Sequence, residues 1–73
     1  QANRRIIDAA GRRLEIPKDK TALTIDRFGN SSAATIPVTL GDYLERGLVE
    51  RGQLLLMTGV GAGFTEGAMV CRF

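Results

Sequence analysis

Late in the chain, Gln53-Leu54-Leu55-Leu56-Met57-Thr58 is almost continuously apolar, and no other stretch limits the fold as strongly. A strand wetted on one face alternates apolar and polar residues, whereas an unbroken apolar run reads as a strand covered on both faces. Arg51-Gly52 marks a turn before the run, and Gly59 to Gly63 turn the chain after it. Gly67-Ala68-Met69-Val70-Cys71-Arg72-Phe73 then reads as a closing strand. Covering both faces takes more chain than is present. The 73 residues make one small domain or part of one, and a chain of this size buries only roughly 60% of its unfolded surface. Cys71 is the only cysteine, so no disulfide framework adds stability.

The elements before that run are too few to cover it. Ile6, Ile7, Ala10 and Leu14 share one face of a helix running from Gln1 to Leu14, which Pro17 brings to a stop. Asp8 and Arg12 have the spacing of a helical ion pair. Ala22-Leu23-Thr24-Ile25 reads as a short buried strand. Ser31 or Ser32 is expected to cap a second helix reaching about Arg46, with Ala33, Ile36, Leu40 and Leu44 on its apolar face. Pro37 predicts a bend between Ala33 and Pro37, and Gly47 predicts a left-handed cap. The order is then α-β-α-β-β. Two helices cannot cover both faces of such a sheet, so the reading is α/β: residues 1–73 as one portion of a larger layered protein. Alone, the chain is expected to expose large apolar patches and to aggregate or stay loose. Its opening on Gln1, inside a helix without a cap, reads as a truncated or cleaved chain.

The net charge is only +2, yet Arg4, Arg5, Arg12 and Arg13 crowd the first helix, with Lys18 and Lys20 just after it. Such a patch can attract nucleic acid, a nucleotide phosphate or an acidic protein. A small basic binding module is therefore one alternative, and a plain solvated helix face is the ordinary one. No apolar run approaches the ~20 residues of a membrane span, and no secretory signal is present. A cytoplasmic, reduced setting fits. Gly59-Val60-Gly61-Ala62-Gly63 lacks the Gly-Lys-Ser/Thr ending of a phosphate loop and is not followed by a helix, so it reads as no nucleotide cradle.

Asp26-Arg27-Phe28-Gly29-Asn30-Ser31-Ser32-Ala33-Ala34-Thr35 carries the chemistry. Gly29 and Asn30 form a tight-turn pair. The side-chain amide of Asn30 is thereby held at the mouth of a helix. A fixed, uncharged donor suits stabilisation of a developing oxyanion. The ordinary alternative is a structural turn in which the Asn30 side chain bonds its own backbone.

Phe28-Gly29-Asn30-Ser31-Ser32-Ala33-Ala34-Thr35 closely resembles the Gly-Asn-Thr-Ser-Ala-Ala-Ser segment of the β-ketoacyl-acyl-carrier-protein synthase III family. Gln1-Ala2-Asn3-Arg4-Arg5-Ile6-Ile7 resembles the segment after that family's catalytic histidine, and Gly59 to Thr65 its C-terminal glycine-rich loop. The resemblance runs the whole length of the chain and implies the C-terminal part of a thiolase-like layered α-β-α fold. It implies a decarboxylative Claisen condensation of an acyl-CoA starter with malonyl-acyl carrier protein, in fatty-acid or polyketide-priming synthesis. By that likeness Asn30 is catalytic. Gly61, Ala62 and Gly63 form an active-site loop that gives a backbone N–H to an oxyanion, and Gln1, Ala2, Asn3, Arg4 and Arg5 meet the carrier protein and its pantetheine arm. Coenzyme A enters as substrate, with no resident cofactor or metal. The implied partners are acyl carrier protein, acyl-CoA, the N-terminal part of the same enzyme and a second subunit of a homodimer, with neither nucleic acid nor membrane. The chain has no histidine, and the family's nucleophilic cysteine lies far upstream. Cys71 reads as a buried structural thiol, so the chain alone is expected to be inactive. Ala62 stands where the family usually has glycine, Val60 where phenylalanine is common and Glu66 where tryptophan is common; these departures imply an altered acyl preference.

Overall fold

A computed structural model describes residues 1–73. Three helices come first, α1 (Arg4–Arg13), the one-turn α2 (Ile25–Phe28) and α3 (Thr35–Glu45). A single hairpin of β1 (Leu54–Gly61) and β2 (Thr65–Arg72) follows. No helix is long and apolar enough to cross a membrane.

α1 starts three residues later than the sequence predicts, and it starts with a cap. The Asn3 side chain accepts a hydrogen bond from the Arg5 N–H at 2.8 Å, satisfying one of the donors a helix start leaves free. Arg12 and Arg13 occupy its last turn, where positive charge offsets the helix dipole. Asp8 pairs with Arg4 at 3.9 Å rather than with Arg12. Ile7 is half-buried, while Ile6 and Leu14 stay exposed. The face expected to be covered is therefore covered only in part.

The strand expected over Ala22–Ile25 is not there, so the local order α-β-α-β-β loses its first β. The reason is where the backbone bonds go. β1 pairs with β2 in a two-stranded sheet, leaving residues 22–25 no strand to join. Side chains from distant positions serve them instead. The Leu23 N–H donates to Tyr43 Oη at 2.7 Å, and the Thr24 and Ile25 N–H groups donate to Gln1 Oε1 at 2.8 and 2.9 Å. Thr24 is the one buried residue of the chain, and its hydroxyl bonds that of Thr39 on α3 at 2.7 Å.

Neither Ser31 nor Ser32 caps α3. Ser32 opens a short 3-10 turn with φ of 52°, and α3 begins at Thr35 with no side-chain cap. Ala34 explains this: it stands at the N-cap position and has no side-chain oxygen to accept a free N–H. In the first turn a missing N–H costs nothing, so Pro37 sits without breaking the helix. Within the Ala33–Pro37 stretch where a bend is expected, the 3-10 turn passes into α3. Gly47 does adopt the left-handed conformation, with φ of 69°.

α2 is pinned to α3 by charge. Both terminal nitrogens of Arg27 reach the Asp42 carboxylate, and Arg46 joins it at 3.1 Å. The hydrogen bonds from Arg27 hold the Asp42 carboxyl below its usual range, against the opposing effect of desolvation. A depressed carboxylate contributes stability above its unfolded pKa and loses it as pH falls through the folded value, here below about pH 4. Asp42→Asn is therefore expected to lower amide protection at Phe28 and Gly29 relative to the wild type at neutral pH. That gap should narrow below about pH 4 and at high salt, because the clasp is solvent-facing. An unchanged gap at low pH would show that α2 is held by something else.

The hairpin is antiparallel with Leu56 opposite Val70, Met57 opposite Met69 and Gly59 opposite Gly67. Pairing continues through Gly61 opposite Thr65, so Gly59 to Gly61 are strand residues. Only Ala62, Gly63 and Phe64 leave the ladder. Cys71 is partly exposed rather than buried. No hydrophobic residue is fully buried anywhere in the chain, so the apolar faces read from the sequence lie open.

Candidate functional site

Asn30 follows directly on the end of α2. Gly29 closes that helix turn, its N–H donating to the Ile25 carbonyl at 3.0 Å, with φ of 64°. This positive φ favours glycine and turns the chain sharply. Asn30 Oδ1 then accepts from the Ser32 N–H at 2.9 Å. That bond is the local turn anticipated as the ordinary alternative, and it also fixes which way the amide points. With Oδ1 engaged, Nδ2 is left with two donors that bond nothing within the chain. The side chain is exposed. A rigid, neutral donor with free N–H groups is the geometry an oxyanion requires.

The hairpin tip is a second backbone-donor candidate. Thr65 Oγ1 donates to the Ala62 carbonyl at 3.3 Å, closing the turn. Gly63 has φ of 122°, where an added side chain is strained. Ala62 is not among the residues at positive φ. Alanine at this position is therefore unstrained, and its N–H survives the exchange from glycine. A Cβ at Gly61 would lie 2.9 Å from Thr65 Oγ1, so a side chain there requires the Thr65 hydroxyl to move. Val60 faces Glu66 across the strands next to this tip.

The N-terminal segment divides into two. Gln1 turns inward: its Oε1 takes the Thr24 and Ile25 N–H groups, and its Nε2 donates to the Ala22 carbonyl at 2.6 Å. Asn3 is occupied as a cap. Ala2, Arg4 and Arg5 are exposed, and Arg5 forms no ion pair. Arg4, Asp8, Arg12 and Lys18 line a groove between α1 and the segment after it. Asp8 interrupts the positive charge there, which suits a mixed protein surface better than a phosphate track. No hydrogen bond or ion pair links Asn30, the hairpin tip and Arg4–Arg5 to one another. Reading the sequence missed Tyr43, Thr24 and Thr39 as the residues that anchor the site. The one available signal was a polar threonine inside the apolar Ala22–Ile25 stretch.

Comparison with known proteins gives this arrangement relatives. Residues 1–73 match the family described as 3-oxoacyl-[acyl-carrier-protein (ACP)] synthase III C terminal. The chain is 48% identical over 73 residues to the β-ketoacyl-[acyl-carrier-protein] synthase III of Aquifex aeolicus, covering all of this chain and 24% of that protein. It is 47% identical over 73 residues to the Xanthomonas euvesicatoria enzyme of the same name, covering 22% of it. The crystal structure of the Aquifex aeolicus 3-oxoacyl-[acyl-carrier-protein] synthase III superposes with a TM-score of 0.95 at 47% identity, over 99% of this chain and 23% of that one. The Pseudomonas aeruginosa structure also gives a TM-score of 0.95, at 37% identity, over the whole of this chain and 23% of that one. The chain thus spans less than a quarter of the length of these relatives. Its helices and hairpin are the C-terminal part of their α/β, thiolase-like fold. A match over the full length sets aside the alternative of a free-standing basic module.

Proposed function

The chain belongs to the 3-oxoacyl-acyl-carrier-protein synthase III C-terminal family, and from that premise we propose that it supplies one wall of a condensing-enzyme active site. In this reaction an acyl group leaves coenzyme A for a cysteine thiol, releasing free coenzyme A. Malonyl-carrier thioester then loses carbon dioxide, and the electron pair of the broken C–C bond becomes an enolate. The enolate attacks the acyl-enzyme carbonyl, the cysteine leaves as thiolate, and 3-oxoacyl-carrier protein results. Asn30 donates from Nδ2 to the thioester oxygen as negative charge builds there. The Ala62 N–H at the hairpin tip serves the oxyanion of the acyl-enzyme. Ala2, Asn3, Arg4 and Arg5 receive the pantetheine arm and the acidic carrier protein. The cysteine and histidine come from the remainder of the enzyme, which works in the cytoplasm as a homodimer.

One observation carries this reading: the Asn30 amide is locked by its oxygen and free at its nitrogen. The test is an assay of the intact protein with acyl-CoA and malonyl-carrier protein, following carbon dioxide and 3-oxoacyl product together. Absence of both with every starter tried sinks the proposal. Arg5 offers a finer check. Reversing an unpaired surface charge removes binding shared by ground and transition states. Arg5→Glu is therefore expected to raise KM for malonyl-carrier protein by about tenfold with kcat near the wild-type value, and salt should shrink the difference. A fall in kcat at unchanged KM would place Arg5 elsewhere in the mechanism.

A further inference from the structure

We propose that Gln1 is a positioning residue for Asn30, acting through α2. The path is continuous and short. Gln1 Oε1 accepts the Thr24 and Ile25 N–H groups at 2.8 and 2.9 Å, and the Thr24 hydroxyl at 3.3 Å. Its Nε2 donates to the Ala22 carbonyl at 2.6 Å. The Ile25 carbonyl in turn accepts from Gly29 at 3.0 Å, and Gly29 is bonded directly to Asn30. One side chain at the head of the chain thus fixes the first turn of the element whose far end presents the amide.

At that end α2 is held by the side chains of Gln1 and Thr39. It has a single turn, and Thr24 makes no side-chain cap. Its start therefore depends on Gln1 for the donors that a helix leaves free. Arg27 and Asp42 clamp the exposed side of the turn, and the Thr24–Thr39 bond ties its start to α3. Gln1 alone links it to the segment entering α1. A displacement of even about 1 Å at a catalytic group is enough to cost on the order of 10²-fold in rate.

This inference rests on Asn30 acting as the enolate donor, and the test separates the two ideas. In the full-length enzyme, Gln1→Ala, Gln1→Glu, Asn30→Ala and the double variant Gln1→Ala/Asn30→Ala are compared. Decarboxylation of malonyl-carrier protein and acyl transfer from acyl-CoA are measured separately. Gln1→Ala is expected to slow decarboxylation about tenfold and to leave acyl transfer near the wild-type rate. Gln1→Glu keeps an acceptor for Thr24 and Ile25 but turns a carboxylate oxygen toward the Ala22 carbonyl in place of the donor, so it should recover part of the rate. The double variant should be no slower than Asn30→Ala, because residues acting as a unit are non-additive. Multiplying losses, or equal losses in both half-reactions, would overturn the positioning role while leaving Asn30 intact. If Gln1→Ala does not accumulate as folded protein, Gln1→Glu decides the matter: equal slowing of both half-reactions rejects the proposal. An Asn30→Ala enzyme with normal decarboxylation would instead reject the reading of Asn30.

Discussion

Asn30→Ala in the intact enzyme is expected to slow malonyl decarboxylation by about 10²–10³-fold, the usual cost of deleting one oxyanion donor. Acyl transfer from coenzyme A to the cysteine should be nearly spared, since the charge that forms in that step lies on a different oxygen. Alanine also deletes the bond to the Ser32 N–H, so the variant alone could be slow because the turn has loosened. Asn30→Asp separates the two causes. A carboxylate oxygen still accepts from Ser32 and keeps the turn. It offers no N–H, and its negative charge opposes the enolate. A decarboxylation rate for Asn30→Asp at or below that of Asn30→Ala identifies the amide as the donor. Near-normal activity in Asn30→Asp would reduce Asn30 to a turn residue.

How far the sequence could be read depended on how local each interaction was. The hairpin was legible because the unbroken Leu54–Met57 run and the Gly67–Phe73 strand are patterns of neighbours. Its turn was placed too broadly: glycine signals a turn, yet Gly59 and Gly61 pair within the ladder and only Ala62–Phe64 form the loop. Gly47 was read correctly because a left-handed helix end depends on a single residue. Ala22–Ile25 went the other way. Its backbone is satisfied by Gln1 and Tyr43, each more than 19 residues distant, and no window of sequence displays that pairing. Pro37 misled for a related reason: its tolerance depends on where α3 begins, and that in turn depends on the Asn30–Ser32 turn. At the site, the Gly29–Asn30 turn was legible from residue chemistry. Gln1 was assigned to substrate contact, and only the fold shows its amide committed to the backbone of α2.

The apolar hairpin leads to the other large effect. As a separate 73-residue polypeptide the chain is expected to show no cooperative heat-absorption peak, to bind a hydrophobic dye and to sediment as heterogeneous aggregates. Ordering each residue costs about 1–2 kcal/mol of backbone entropy, and the opposing term is apolar burial, which stops short of a core: no hydrophobic side chain is fully buried. Leu54, Met69 and Val70 on the strands are each at least 60% exposed, and a two-stranded hairpin is at best marginal in water. The same surface predicts opposite signs for one substitution. In the separate chain, Leu56→Asp lands on a face that is half exposed, so it should improve solubility and reduce aggregation. In the intact enzyme, where the rest of the protein would cover that face opposite Val70, it buries an unpaired charge and should cost on the order of 3 kcal/mol or more. Thermal unfolding of the full-length variant and sedimentation of the short one measure the pair of outcomes. A sharp, monomeric unfolding transition in the short chain, or a full-length Leu56→Asp enzyme as stable as the wild type, would mean that this hairpin is not a sheet edge awaiting cover.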